Sequence, residues 1–149
     1  MGWGLDTGRL PEDGGARLAY VTPSHQFPLG GVLPIGRRQA LLQWAVRHDA
    51  WIIEDDYDGE FRYGQRPIDA LQSIDTDGRV IYVGTFSKAL SPQLRLGYMV
   101  LPHALVPVFR QAKRLADRHA PMLEQQVLAS LIDSGAYERH VRRMRRENE

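Results

Sequence analysis

Cysteine is absent from the 149-residue sequence, which excludes disulfides and thiolate chemistry and removes any reason to expect an oxidising compartment. A dominant charge is absent as well: 19 Lys and Arg stand against 18 Asp and Glu, for a net +1. Neither nucleic-acid nor membrane binding then follows from charge as a whole-molecule property. No stretch approaches the ~18 apolar residues of a membrane span. The opening Met1-Gly2-Trp3-Gly4-Leu5-Asp6 has neither the basic nor the apolar region of a signal peptide. A cytoplasmic location with no membrane partner is the expectation. Repeats and low-complexity tracts are also missing, and the length suits one hydrophobic core rather than two domains.

What is present reads as alternating strands and helices. Residues 1–16 are rich in Gly, Pro and Asp and are expected to be irregular. A short strand is predicted at Arg17 to Thr22, then a turn-rich loop from Ser24 to Gly36. Ala40, Leu41, Trp44 and Ala45 recur at helical spacing between Arg37 and His48. Trp51-Ile52-Ile53 is the next strand, running into the acidic Glu54-Asp55-Asp56-Tyr57-Asp58. Val80 to Val83 and Leu96 to Leu101 form two further apolar, strand-like runs. Helices are predicted from Leu105 to Ala116, from Pro121 to a stop at Gly135, and from near Tyr137 onward. The pattern is α/β, with a mixed, mostly parallel sheet sandwiched by helices. The bend from Gly84 to Gln93 is too short for a parallel crossover, so the strand at Leu96 is expected to run antiparallel to that at Val80.

The polar residues collect where two strands end. In open α/β sheets ligands gather beyond the carboxyl ends of the parallel strands. Asp55-Asp56-Tyr57 follows one such strand, and Thr85-Phe86-Ser87-Lys88 follows another. Alternation in extended backbone points Asp55 and Tyr57 one way, Glu54 and Asp56 the other. A solvated turn lysine is the plain alternative for Lys88. Pyridoxal phosphate, however, needs this mixture of groups. Its aldehyde requires a lysine amine, for which Lys88 is available. Its pyridine nitrogen needs a buried carboxylate, which Asp55 can supply, and its ring oxygen a phenol, for which Tyr57 is placed. Its phosphate calls for hydroxyls and a guanidinium fork, and Thr85, Ser87 and Arg95 offer them.

The stretches "TPSHQFPLG", "WIIEDDYDGEFRY" and "GTFSKALSPQLRLGYMV" closely resemble the aminotransferase-like domain of MocR/GabR-type transcriptional regulators. That group belongs to the fold-type-I, aspartate-aminotransferase-like superfamily, and the resemblance runs from about Leu18 to Arg146. It implies that Lys88 is the Schiff-base lysine, Asp55 the pyridine-nitrogen partner, Tyr57 the ring-oxygen donor and Arg95 the phosphate arginine. Thr85 and Ser87 fall where the group places phosphate hydroxyls. Two positions depart from the pattern. Phe27 stands where related aminotransferases often carry an Asn that bonds the ring oxygen, an exchange common in the regulator branch. Leu29 replaces a more usual small hydroxyl residue.

The resemblance also implies an incomplete chain. Residues 17–135 would be part of a large domain, and 136–149 the start of a small-domain helix. An upstream winged helix-turn-helix domain and most of the small domain would be missing, so no DNA-binding domain is expected in this chain. The function implied is the pyridoxal-phosphate core of a regulator that senses an amino-acid or amine ligand by imine exchange at Lys88. The complete protein would be a homodimer. A fragment of a working aminotransferase and a non-catalytic remnant are the alternatives.

The remaining motifs have plainer readings. Alternation divides Glu54, Asp55, Asp56, Asp58 and Glu60 between two faces, and no calcium-type loop is present, so no metal site is expected. Asp56, Asp58 and Glu60 are expected to be solvated or paired with Arg62 and Arg66. The arginines from Arg139 to Arg146 fit the polar side of an amphipathic helix. His25 lies near the site by the resemblance. His48, His103, His119 and His140 are assigned to packing or surface, and Trp44 and Trp51 to the core.

Overall fold

A computed structural model describes residues 4–26, 28, 30–61 and 69–147. Phe27, Leu29, Arg62 and Arg66 lie outside the described residues. Strands β1 (Leu18–Val21), β2 (Trp51–Asp56), β3 (Val80–Thr85) and β4 (Gly97–Val100) form one four-stranded sheet in the order β1-β2-β3-β4. The β1–β2 and β2–β3 pairs are parallel and β3–β4 is antiparallel. The short bend after β3 therefore reverses the chain, as its length requires. Helices α1 (Ile35–Arg47), α2 (Val106–Asp117), α3 (Met122–Asp133) and α4 (Ala136–Glu147) complete the architecture.

The core lies between α1 and one face of the sheet. Leu41, Trp44 and Ala45 of α1 meet Val21, Ile52 and Val80 of three successive strands, with Leu33, Ala50 and Leu71 closing the sides. Burying side chains of this size contributes about 1.5–3 kcal/mol each. The N-terminal segment packs on the same helix, where the Trp44 indole donates to Pro11 O at 2.8 Å. Trp51, by contrast, is only half-buried, with the Arg79 guanidinium 5.3 Å above its ring. The opposite face of the sheet is open at Leu18 and Tyr20, 55% and 63% exposed. Helix α2 has no buried residue, whereas α3 buries Leu128 and α4 buries Val141.

Strand β2 continues three residues past its apolar run, through the acidic residues to Asp56. Alternation then turns Glu54 and Asp56 into the buried face. A buried carboxylate needs donors. Glu54 accepts from the backbone N–H of Leu71 at 2.7 Å and of Gln72 at 2.8 Å. Burial pushes its pKa up, against the pull of those two amides and of the nearby Arg38 guanidinium. Arg38, also fully buried, donates to the carbonyls of Leu33, Pro23 and Asp69 at 2.7–2.8 Å. That fork ties the loop before α1 to the chain after residue 68.

Gly84 is paired with Tyr98 across the antiparallel ladder, and the tyrosine ring lies over it. A Cβ at position 84 would come within 2.6 Å of the Tyr98 hydroxyl and Cε1. Gly84→Ala is therefore expected to destabilise the fold by about 1–3 kcal/mol through overpacking. Thermal melts of Gly84→Ala in the native and Tyr98→Ala backgrounds check this. Most of the penalty should vanish in the second, and an equal penalty in both would refute the ring contact as its cause.

Candidate functional site

The parallel register decides which polar groups meet. Tyr20 pairs with Ile53, and Asp55 pairs with Val83. Paired residues in neighbouring strands share a face, so Tyr20, Asp55, Val83 and Thr85 all lie on the open side of the sheet. Tyr20 is a diagonal neighbour of Asp55, within reach of a long side chain. Its hydroxyl donates to Asp55 Oδ2. That bond, then burial and the carboxylate's charge, pushes the Tyr20 phenol up to about 12.

Asp55 and Tyr57 line one cavity of about 770 Å³, together with Tyr20, Thr22, Gln26 and Leu33. Tyr57 is fixed by its neighbours. Its hydroxyl donates to His25 O at 3.1 Å, and its ring stacks on the His25 imidazole at 5.9 Å between centroids. Desolvation raises the Tyr57 pKa, reinforced by the charges of Asp58 and Asp55. The phenol thus stays a hydrogen-bond donor well into alkaline solution. His25 in turn bonds Asp58 through Nδ1, and the other Asp58 oxygen is buried without a partner among the described residues.

The bend after β3 holds the second group. Thr85 Oγ1 accepts the Ser87 N–H at 3.1 Å and lies 3.4 Å from Leu96 O. The Phe86 N–H donates to Leu96 O at 3.1 Å, and the Leu90 N–H to Phe86 O at 2.9 Å. Ala89 is buried beneath, while Lys88 is exposed. Arg95 adopts the left-handed conformation at φ 50°, which costs a non-glycine residue about 1–2 kcal/mol. Among the described residues neither the Lys88 ammonium nor the Arg95 guanidinium has a polar partner. The structure therefore brings Asp55 and Tyr57 into one cavity and Thr85 and Ser87 into one bend. Lys88 and Arg95 do not line that cavity.

Asp56, Asp58 and Glu60 were expected to be solvated or paired with Arg62 and Arg66; those arginines lie outside the described residues, and each acid has another partner. Asp56 is buried and accepts from the Tyr82 hydroxyl at 2.9 Å; Asp58 holds His25; Glu60 accepts from the Tyr137 hydroxyl at 3.1 Å. None of the three is simply solvated: tyrosines of β3 and α4 close over Asp56 and Glu60, and His25 from the loop after β1 holds Asp58. Tyr20 was not singled out as a site residue; His25 was placed near the site, but its bond to Asp58 was not foreseen. The alternation of β1 could have placed Tyr20 on the Asp55 face, but only the register reveals the bond. Since folding raises the Tyr20 pKa from 10.0 to about 12, its contribution to stability is complete below pH 10 and lost as pH rises towards 12. Tyr20→Phe is expected to remove the tyrosine that ionises near pH 12 in an absorbance titration at high pH. It should also flatten the decline of thermal stability above pH 10; loss of a component that titrates near pH 10 instead would contradict the Asp55 bond.

Residues 16–148 match the family described as aminotransferase class I and II. The chain is 49% identical over 128 residues to the HTH-type transcriptional regulator YhdI of Bacillus subtilis, covering 86% of this chain and 27% of that protein. It is 46% identical over 145 residues to the probable rhizopine catabolism regulatory protein MocR of Rhizobium meliloti, covering 97% and 29% respectively. Among solved structures, Pyrococcus horikoshii kynurenine aminotransferase in complex with PMP superposes with a TM-score of 0.83 at 35% identity, over 87% of this chain and 32% of that one. The chain spans less than a third of the length of these regulators. Its sheet, its order of elements and its motifs agree with the match along almost its whole length: the chain belongs to the aminotransferase class I and II family.

Proposed function

We propose that this chain is the pyridoxal-phosphate-binding core of an aminotransferase-like effector domain from a MocR/GabR-type transcriptional regulator. One observation carries the reading. The Asp55 carboxylate and the Tyr57 phenol converge on one cavity, one strand away from the bend that holds Ser87 and Lys88. The donor set fits the cofactor: a carboxylate, a phenol, an amine, hydroxyls and a guanidinium. Arg95, without a polar partner among the described residues and in a strained backbone conformation, supports a ligand role, since such strain concentrates at functional sites.

When bound, pyridoxal phosphate supplies an aldehyde that takes up amines and a ring that withdraws electrons. The chain's own residues then have distinct tasks. Asp55, oriented by the Tyr20 hydroxyl, holds a proton on the ring nitrogen. Tyr57, kept protonated by burial, would donate to the ring oxygen in place of its bond to His25 O. Lys88 would present the amine for the aldehyde, the group an incoming amino compound would replace, and Thr85, Ser87 and Arg95 would hold the phosphate. The regulators YhdI and MocR support a sensing role over turnover, because both share more identity with this chain than the kynurenine aminotransferase does. In this reading residues 17–135 belong to a large domain and 136–149 open a small one, and the complete protein is a homodimer.

Mixing the chain with pyridoxal phosphate, reducing with borohydride and mapping peptides by mass spectrometry tests the proposal. A stoichiometric adduct on Lys88 is expected, abolished in Lys88→Ala and weakened about tenfold or more in Asp55→Ala, as befits loss of a buried charge-assisted bond. Adducts scattered over other lysines, unaffected by Asp55→Ala, would overturn it.

A further inference from the structure

The bend that carries Lys88 makes few bonds of its own, and helix α4 supplies the rest. His140 Nε2 lies 2.9 Å from the carbonyl oxygen of Ala89, the residue after the lysine. A carbonyl only accepts, so His140 donates from Nε2. Arg143 Nη2 lies 3.3 Å from His140 Nδ1, and a guanidinium only donates. The two contacts together select the neutral imidazole with its proton on Nε2. One turn earlier, Tyr137 meets Phe86 edge-on, at 5.8 Å between centroids and 75° between planes. Tyr137 is itself anchored by its bond to Glu60, and burial holds its phenol well above its usual pKa. Both flanks of Ser87-Lys88 are thus gripped by one face of one helix. The contact is partly buried: Ala89 is 2% exposed and His140 is half-buried.

We propose that His140 is a positioning residue for Lys88, fixing the lysine bend to α4 so that the two move as one unit. The mechanical statement stands on the contacts above; its functional meaning rests on the reading of Lys88 as the cofactor lysine. The bonds from Leu90 N–H to Phe86 O, Ser87 N–H to Thr85 Oγ1 and Phe86 N–H to Leu96 O leave the Ala89 carbonyl, next to the lysine, unheld. With His140 in place, the Ala89 carbonyl is pinned and the backbone on either side of Lys88 is held.

Backbone amide hydrogen exchange on the chain without cofactor tests this, comparing the native sequence with His140→Ala and His140→Gln. Gln retains an N–H able to reach the Ala89 carbonyl. In His140→Ala the amides of residues 86–90 should exchange about tenfold faster, the effect of one lost hydrogen bond, while the Ile52 amide in the core is unchanged. His140→Gln should recover most of the protection. Unaltered exchange in residues 86–90 of His140→Ala, or no recovery in His140→Gln, would overturn the proposal. Borohydride labelling in parallel separates the two readings. A native chain that fails to form the Lys88 adduct sinks the cofactor reading, whereas the exchange result alone decides the positioning role.

Discussion

The carboxylates of β2 can lie only one way round, and the site follows from that. Glu54 is tied to the amides of Leu71 and Gln72, and Asp56 to the hydroxyl of Tyr82. Both carboxylates lie on the buried face. A slip of one residue would drive Asp55 into the core, where neither set of donors is placed for it, and send Glu54 and Asp56 to the open face. Leaving a buried carboxylate without donors costs several kcal/mol. The two buried acids therefore fix the register, and the register presents Asp55 to the cavity. Residues with no chemistry of their own thus determine where the chemistry lies.

The same logic continues along the next strand. The pairing of Asp56 with Gly84 and of Gly84 with Tyr98 brings the Tyr98 ring across β3, which only a glycine permits. Phe86 then packs against Tyr98 at 5.2 Å and Tyr137 at 5.8 Å. An aromatic layer joins the sheet to α4 directly beneath the lysine bend. Burial raises the pKa of Tyr82, Tyr98 and Tyr137 together, and Tyr82 and Tyr137 remain donors to Asp56 and Glu60 over the whole physiological range. Acid in the loop after β2 and aromatic rings on β3, β4 and α4 form one packed unit.

Much of this was legible in the sequence, and the limits are physical. β-branched runs disclosed β2 and β3, and the length of the bend after Thr85 disclosed the reversal into β4. The faces of β2 followed from period two, which separated Asp55 from Glu54 and Asp56 before any coordinate was known. What stayed hidden depends on contacts between distant segments. The Tyr20–Asp55 bond spans 35 residues and needs the β1–β2 register; the His140–Ala89 bond spans 51 and needs the docking of α4. Asp56 and Glu60 read as solvated or paired with Arg62 and Arg66, and nothing local reveals that tyrosines far along the chain will bond them. The motifs likewise suggested a single cluster, while the structure separates the Asp55 cavity from Lys88 and Arg95.

The central claim is that β2 presents Asp55, and not its acidic neighbours, to a pyridine nitrogen. The most direct measurement is the ¹⁵N chemical shift of ring-labelled pyridoxal phosphate bound to the chain at neutral pH. The account predicts the shift of a protonated ring nitrogen in the native chain, its loss in Asp55→Asn and its persistence in Asp56→Asn. A protonated signal that survives Asp55→Asn, or disappears only in Asp56→Asn, would contradict it.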